Sequence, residues 1–426
     1  MSVIEIDGDV PLAGRVTIAG SKNGALPLMA AAILADGPLT LSNVPDVRDV
    51  RTLAELLRQL GVRVEVKQPG VYECEVEDET RKEATYDLVS EMRASVCVLG
   101  PLVARRGGAL VARPGGCSIG PRPIDIHLKG LRALGAGVEE KEGNVIVRPS
   151  RLKGCEMDLA GPHGPTVTGT GNVMCAATLA EGRTIIHNAA MEPEIQDLAH
   201  LLNDMGARIS GMGASTLVID GVPALHGAER EVIPDRIEAA TFMIAAAVTR
   251  GDLLLERVTW EHLSATIEAL RRIGVTVERE LFGCRVKVAG GREGRLVATD
   301  VDTAPYPGLA TDVQAPFSAL LCLAAGQSRV TDTIFPDRFI HVDELNRLGA
   351  SIRMLDAGRA IIEGVDHLSG APVKAPDLRA CAALILAGLA GRGVTRISNP
   401  EHIDRGYDRI EEKLSALGAR IRRVNG

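Results

Sequence analysis

The sequence predicts an α/β protein built from six copies of one unit, arranged as two lobes of three. Three observations carry this. The phrase Leu-x-x-hydrophobic-Gly-Ala/Val-x-hydrophobic recurs six times, with its glycines at Gly61, Gly135, Gly206, Gly274, Gly349 and Gly418, 68 to 75 residues apart. A second glycine (Gly37, Gly108, Gly182, Gly251, Gly326, Gly393) precedes each of these by 23 to 27 residues. Each unit also pairs an all-apolar helical stretch with an amphipathic one. Self-similarity at a fixed period sets the architecture, and a period this long describes a small α/β module rather than a solenoid repeat.

The first unit shows the plan. Ala25 to Ala35 is apolar on nearly every face, as in a helix buried all round. Asp36-Gly37 ends it, glycine supplying the left-handed conformation common after a helix C-terminus. Leu39 to Leu41 reads as a strand. Leu53, Leu56, Leu57 and Leu60 then fall at helical spacing within Thr52 to Leu60, with Glu55, Arg58 and Gln59 between them. Val62, Val64 and Val66 alternate with Arg63, Glu65 and Lys67, a half-buried strand. The other buried helices are expected near Ser95–Ala104, Asn172–Ala180, Ala240–Val248, Pro316–Ala325 and Cys381–Ala390. The lobes should part between Val222 and Pro234. The opening twenty residues carry the same alternation, and the pattern alone leaves open which lobe they complete.

Composition narrows the function classes. The chain has 426 residues, 46% of them apolar and only 2% aromatic, with a net charge of −7. Without a basic run, and with few aromatics to stack on bases, nucleic acid is not an expected partner. Apolar runs reach only about ten residues, short of the roughly 18 that cross a bilayer, and the N-terminus lacks a secretory pattern. No membrane partner is expected. The eight cysteines have no paired spacing, which fits reduced thiols in the cytoplasm. No His, Cys and Asp spacing suits a metal, and no Walker or Rossmann glycine pattern appears, so no cofactor is expected.

Polar residues cluster where the buried helices begin. Lys22 and Asn23 precede the first helix and Arg93 opens the second. Thr166, Thr168 and Thr170 precede the third, Arg236 and Glu238 the fourth, Asp312 and Gln314 the fifth, and Asp377 and Arg379 the sixth. Helix N-termini attract anions, and with Lys22, Arg93 and Arg379 added, such starts suit phosphates and carboxylates. Ordinary N-capping explains any one Asn, Asp or Thr; three basic residues at such positions need another reason. The stretch from Pro114 to Pro123 is too rich in glycine and proline for a helix. Within it Cys117 is flanked by Gly116 and Ser118, with Arg113 and Arg122 nearby, a setting for a thiol of lowered pKa acting as nucleophile or proton donor. Cys97, Cys175, Cys322 and Cys381 fall in apolar helices and read as inert core.

In these residues the chain resembles the UDP-N-acetylglucosamine enolpyruvyl transferases of the EPSP synthase superfamily, essentially end to end. The marks are Gly20-Ser-Lys-Asn23, Met92-Arg-Ala-Ser95, Pro114-Gly-Gly-Cys117, Arg122-Pro-Ile-Asp125, Glu192-Pro-Glu194, Pro234-Asp-Arg-Ile-Glu238, Thr311-Asp312, Phe335-Pro-Asp-Arg338, Asp377-Leu-Arg379 and His402-Ile-Asp-Arg-Gly406. The resemblance implies a two-lobed inside-out α/β barrel of six βαβαββ repeats, three per lobe. Residues 21–231 would form the first lobe, carrying the Cys117 loop; residues 1–20 with 232–426 would form the second.

The resemblance further implies transfer of enolpyruvate from phosphoenolpyruvate to the 3′-hydroxyl of UDP-N-acetylglucosamine, releasing phosphate, at the entry to peptidoglycan precursor synthesis. Cys117 would be the proton donor, Asp312 the candidate base, and Lys22, Arg122 and Arg405 the holders of phosphate and carboxylate, with Asn23 positioning the intermediate. Arg93, Arg122, Pro123, Ile124, Asp125, Ile126, Thr166, Val167, Asp312 and Ile334 would line the sugar-nucleotide site. Asp377, counted with the catalytic set, and Arg379 would belong to the second lobe's half. Charged groups on both lobes imply closure around substrate, excluding water. One segment departs from the family: relatives usually carry Ser-Val-Gly-Ala-Thr where this chain has Thr166-Val-Thr-Gly-Thr170, and the preceding lysine of some relatives is absent. How this segment meets the uridine diphosphate is left open, with His163 a candidate substitute. The alternatives are a shikimate-3-phosphate enolpyruvyl transferase, which lacks the Pro-Gly-Gly-Cys loop, and a silent sugar-nucleotide sensor, which needs neither thiol nor base.

Overall fold

The computed structural model describes residues 2–113, 115, 123–289 and 294–425. The chain divides into two compact units: Met1–Ala19 joined with Pro234–Gly426, and the described residues from Gly20 to Ile233. Each unit has its own hydrophobic core. One core runs from Ala25 to Val232; the other gathers Ile4 to Ile18 with Ile237 to Ile421.

Every sheet of four strands follows one plan. In the second repeat Glu83–Ala84 pairs parallel with Ala109–Ala112, the buried helix Leu99–Arg106 lying between them in sequence. The amphipathic helix Asp125–Ala133 follows, and then the hairpin Gly137–Lys141 and Asn144–Arg148. The hairpin's second strand pairs antiparallel with Ala109–Ala112, and its first strand takes the edge. The same spatial order and strand directions recur in three sheets of each unit, the βαβαββ plan used six times, with Glu229–Glu231, Ala13–Thr17 and Ser2–Asp7 each filling a place in a sheet from a distant segment. The opening segment joins the Pro234–Gly426 part. Ser2–Asp7 lies between Val394–Ser398 and Arg420–Asn425, and Ala13–Thr17 pairs parallel with Asp252–Glu256.

The repeated glycines have a backbone cause. All six phrase glycines take positive φ, from 77° at Gly61 to 102° at Gly206, reversing the chain between amphipathic helix and strand. The upstream glycines do so at four repeats, but in the second and fourth the left-handed residue is one earlier, Gly107 and Arg250.

The buried helices are Lys22–Ala31, Leu99–Arg106, Val167–Thr178, Arg236–Val248, Gln314–Leu321 and Leu378–Ala390. All but the second begin earlier than their apolar runs because polar residues occupy the first turns; the second begins later, at Leu99. The second and fifth are led in by 3₁₀ turns, Arg93–Val98 and Thr311–Val313. Small side chains let them pack closely: a Cβ on Gly100 would lie 2.1 Å from the Asn172 carbonyl oxygen, a contact only glycine permits. Among the described residues no helix is long and apolar enough to cross a membrane.

Candidate active site

In the Gly20–Ile233 unit, Ser21 caps the first buried helix by accepting from Gly24 N, so Lys22 and Asn23 lie inside its first turn rather than ahead of it. Lys22 Nζ lies 3.1 Å from Asp49 Oδ2, with side chains only 11% and 5% exposed. Asp49 is the second residue of the amphipathic helix Arg48–Gln59. That turn therefore holds the ammonium in place, where the sequence had offered no sign of a role for Asp49.

Arg93 begins the 3₁₀ turn Arg93–Val98, which packs against the helices carrying Lys22 and Thr168. Its Nη2 donates to the Pro123 carbonyl at 3.0 Å. Ile124 is buried ahead of the helix Asp125–Ala133, Asp125 is exposed in its first turn, and Ile126 is half-buried. Thr166 caps the third buried helix through Gly169 N at 3.2 Å, so Thr168 and Thr170 also fall within the helix. Val167 is 37% exposed at the same end. Cys117 and Arg122 lie outside the described residues.

In the other unit a charged cluster joins the starts of the fifth and sixth buried helices with Arg338 of the 3₁₀ turn Pro336–Phe339. Asp312 Oδ1 lies 2.9 Å from Arg338 Nη2 and 3.2 Å from Arg379 Nε. Arg338 Nη1 donates to Thr311 Oγ1 at 2.8 Å, and Thr311 donates in turn to Asp332. Asp332 is fully buried, and its Oδ1 accepts from the backbone N–H groups of Ile334 and Phe335, both at 3.0 Å. One chain of contacts thus fixes Asp312 and Ile334 together. Arg379 Nη1 donates to Tyr407 Oη at 3.4 Å, and Tyr407 shares a hydrogen bond with Thr241 on the fourth buried helix.

Burial acts to lower the pKa of Arg379, but the nearby Asp312, Tyr407 and Asp235 outweigh it and raise the value. Asp377 accepts from Ala380 N at 2.7 Å and so serves as a cap; Arg379, like Arg236 and Glu238, lies within its helix rather than ahead of it. Arg405 ends the 3₁₀ turn Pro400–Arg405 and is half-buried. The sequence assigned neither Arg338 nor Asp332 a role, since the Thr311 side chain that each meets lies 27 and 21 residues away.

Of the described cysteines, six are buried and Cys155 is half-buried. Burial pushes the thiols of Cys97 and Cys322 up to about 12, where a thiolate is scarce at neutral pH. Among the described residues no group of three or more His, Cys, Asp or Glu could hold a metal ion.

The model of the EPSP synthase (3-phosphoshikimate 1-carboxyvinyltransferase) family matches residues 6–414. The chain belongs to that family. Within the family it is 50% identical to a UDP-N-acetylglucosamine 1-carboxyvinyltransferase of Methylacidiphilum infernorum over 98% of each chain. Identity is 51% to the protein of that name from Nitratidesulfovibrio vulgaris over 99% of each chain. The solved enolpyruvyl transferase NikO from Streptomyces tendae superposes with a TM-score of 0.89 at 26% identity, covering 100% of this chain and 99% of that one. An EPSP synthase from Acinetobacter baumannii, 21% identical, superposes at 0.75 over the whole of both chains and shares the fold. The family's fold of six βαβαββ modules, three to each unit, is the architecture of this chain.

Proposed function

We propose that this protein is a UDP-N-acetylglucosamine 1-carboxyvinyltransferase, moving the enolpyruvyl group of phosphoenolpyruvate to the sugar's 3′-hydroxyl and releasing phosphate. The observation that carries this reading is identity near one half, end to end, with relatives of that name. The arrangement of charge supports it. Protonation of phosphoenolpyruvate at C3 leaves positive charge at C2, where the 3′-oxygen attacks and loses its proton. The tetrahedral adduct then expels phosphate and gives a proton back from C3, restoring the double bond. Cys117 is the proposed proton donor and Asp312 the acceptor of the hydroxyl proton. Lys22, Arg122 and Arg405 neutralise phosphate and carboxylate, Arg by paired donors and Lys as a point charge. Asn23 orients the adduct. Arg93, Pro123 to Ile126, Thr166, Val167 and Ile334 face the sugar nucleotide, with Asp377 and Arg379 holding the second unit's part.

The same reading places the reaction in the cytoplasm at the first committed step of peptidoglycan precursors, upstream of cell growth and division. Phosphate release is measured with phosphoenolpyruvate and either UDP-N-acetylglucosamine or shikimate 3-phosphate as acceptor. Release with the sugar nucleotide alone supports the reading. Release with shikimate 3-phosphate alone, or tight sugar-nucleotide binding without turnover, contradicts it.

A further inference from the structure

Arg379 is one of the two cations on Asp312, and its own placement is set by Tyr407. Tyr407 is 3% exposed and stands two residues beyond Arg405. Its backbone N–H donates to Ile403 O at 3.1 Å, which folds it onto the 3₁₀ turn Pro400–Arg405. Gly406 lets this turn lie against the start of the helix Leu378–Ala390. A Cβ at Gly406 would come within 2.8 Å of Leu378 Cδ2. The Tyr407 ring then lies against the guanidinium, with Arg379 Cζ 5.7 Å from the ring centroid.

The hydrogen bonds at the Tyr407 hydroxyl run in one direction. Thr241, buried on the helix Arg236–Val248, donates its single hydroxyl hydrogen to Ile237 O at 2.9 Å. A carbonyl can only accept, so Thr241 Oγ1 receives the Tyr407 O–H across the 2.8 Å between them. With its hydrogen committed, Tyr407 Oη accepts from Arg379 Nη1 at 3.4 Å. Burial raises the pKa of Tyr407 against the opposing effect of Arg379 and Thr241, so the phenol keeps the proton this chain requires. Arg379 is thereby gripped at two nitrogens, Nη1 by Tyr407 and Nε by Asp312. Two such contacts fix the plane of a guanidinium.

We propose that Tyr407 is a positioning residue for enolpyruvyl transfer: through Arg379 it fixes the placement of the Asp312 carboxylate, and Thr241 fixes the direction of its hydroxyl. This rests on the function proposed above, in which Asp312 accepts the proton of the sugar hydroxyl. Phenylalanine would fill the same volume and keep a ring face against the guanidinium. It would leave Arg379 Nη1 without this acceptor, and the carboxylate with a less fixed partner.

The test is steady-state phosphate release by the full chain with phosphoenolpyruvate and UDP-N-acetylglucosamine, with melting temperature measured on the same samples. Tyr407→Phe should lower kcat about tenfold or more, as small displacements of a reacting group do, while KM for either substrate moves far less. It should add little in the Arg379→Lys background, because it acts through the guanidinium. Thr241→Val should lose part of the same turnover, and Thr241→Ser, which keeps the hydroxyl, should recover it. Three results overturn the proposal: wild-type kcat in Tyr407→Phe with only the melting temperature lowered, a loss in KM rather than kcat, or an undiminished loss in the Arg379→Lys background. If Tyr407→Phe does not fold, the Thr241 pair decides, and equal kcat in Thr241→Val and Thr241→Ser overturns the proposal. Absence of turnover in the wild-type chain is a distinct result, and it overturns the functional reading beneath the proposal.

Discussion

Arg379 Nε lies 3.2 Å from Asp312 Oδ1, and this contact ties the start of the fifth buried helix to that of the sixth. Arg338 approaches the same oxygen at 2.9 Å. Both arginine side chains are at most 8% exposed, while the Asp312 side chain is 23% exposed. The carboxylate is thus anchored from behind by two cations. Such fixed placement suits the proton acceptor proposed for this carboxylate.

Asp312→Asn keeps size and hydrogen bonding but removes the basic oxygen. Turnover should fall by about 10²–10⁴-fold, the usual worth of general-base assistance, with sugar-nucleotide affinity little changed. The substitution also weakens compensation of two buried guanidiniums, and breaking a buried pair costs about 3–5 kcal/mol. Melting temperature must therefore be measured on the same sample. Turnover within a few-fold of wild type, with only the melting temperature lowered, would show that Asp312 is structural.

Asp49 should set the position of Lys22. Asp49→Asn removes the counter-charge from an ammonium whose side chain is 11% exposed. The expected result is a raised KM for phosphoenolpyruvate together with lower thermal stability, while Asp49→Glu recovers part of both. An unchanged KM in Asp49→Asn would show that Lys22 is positioned without it.

Much of the fold was legible in the sequence because it is repeated. Six glycines in one register marked six helix ends, and their positive φ values are the physical reason for the repeat. Helix starts were less legible. Lys22, Arg236 and Arg379 look like residues of a preceding loop, yet each sits in a first turn, where polar side chains end the apolar pattern before the helix itself ends. The site was legible where motifs are contiguous, as at Gly20 to Asn23. It was hidden where partners come from distant segments. Asp49 lies 27 residues from Lys22, and Asp332 lies 21 from Thr311, so no local spacing could reveal either pair.

Glu238 should make stability depend on pH. It is buried, accepts from Ala19 N at 2.7 Å and pairs with Lys413 at 2.6 Å. Burial pushes its carboxyl up to about 7 from 4.5; Asp235 adds to this, and Lys413 opposes it. The folded chain therefore holds this proton at pH values where the unfolded chain has lost it. The contribution is fully present below about pH 4.5 and is lost as pH rises through about 7. Denaturant titrations across that window should show wild type losing stability relative to Glu238→Gln. Parallel pH profiles for the two proteins would contradict this.

Cys117 should be the reactive thiol, on the strength of its glycine-rich, arginine-bordered segment. An epoxide phosphonate such as fosfomycin should alkylate it and inactivate the enzyme. Peptide mapping should place the adduct on Cys117, given that burial raises the pKa of Cys97, Cys175, Cys322 and Cys381. Cys117→Asp should escape alkylation and keep activity, whereas Cys117→Ser should be far poorer, since a serine hydroxyl is a much weaker acid. An adduct on another cysteine, or inactivation of Cys117→Asp at the wild-type rate, would refute the assignment.

The most direct measurement is the structure of the product. The protein is incubated with phosphoenolpyruvate and UDP-N-acetylglucosamine, and the nucleotide fraction is examined by proton and phosphorus NMR. The account predicts a vinyl ether on the 3′-oxygen of the sugar, an intact diphosphate, and one inorganic phosphate per vinyl ether formed. Unmodified sugar nucleotide after complete incubation, or an enolpyruvyl group on any other oxygen, would contradict it.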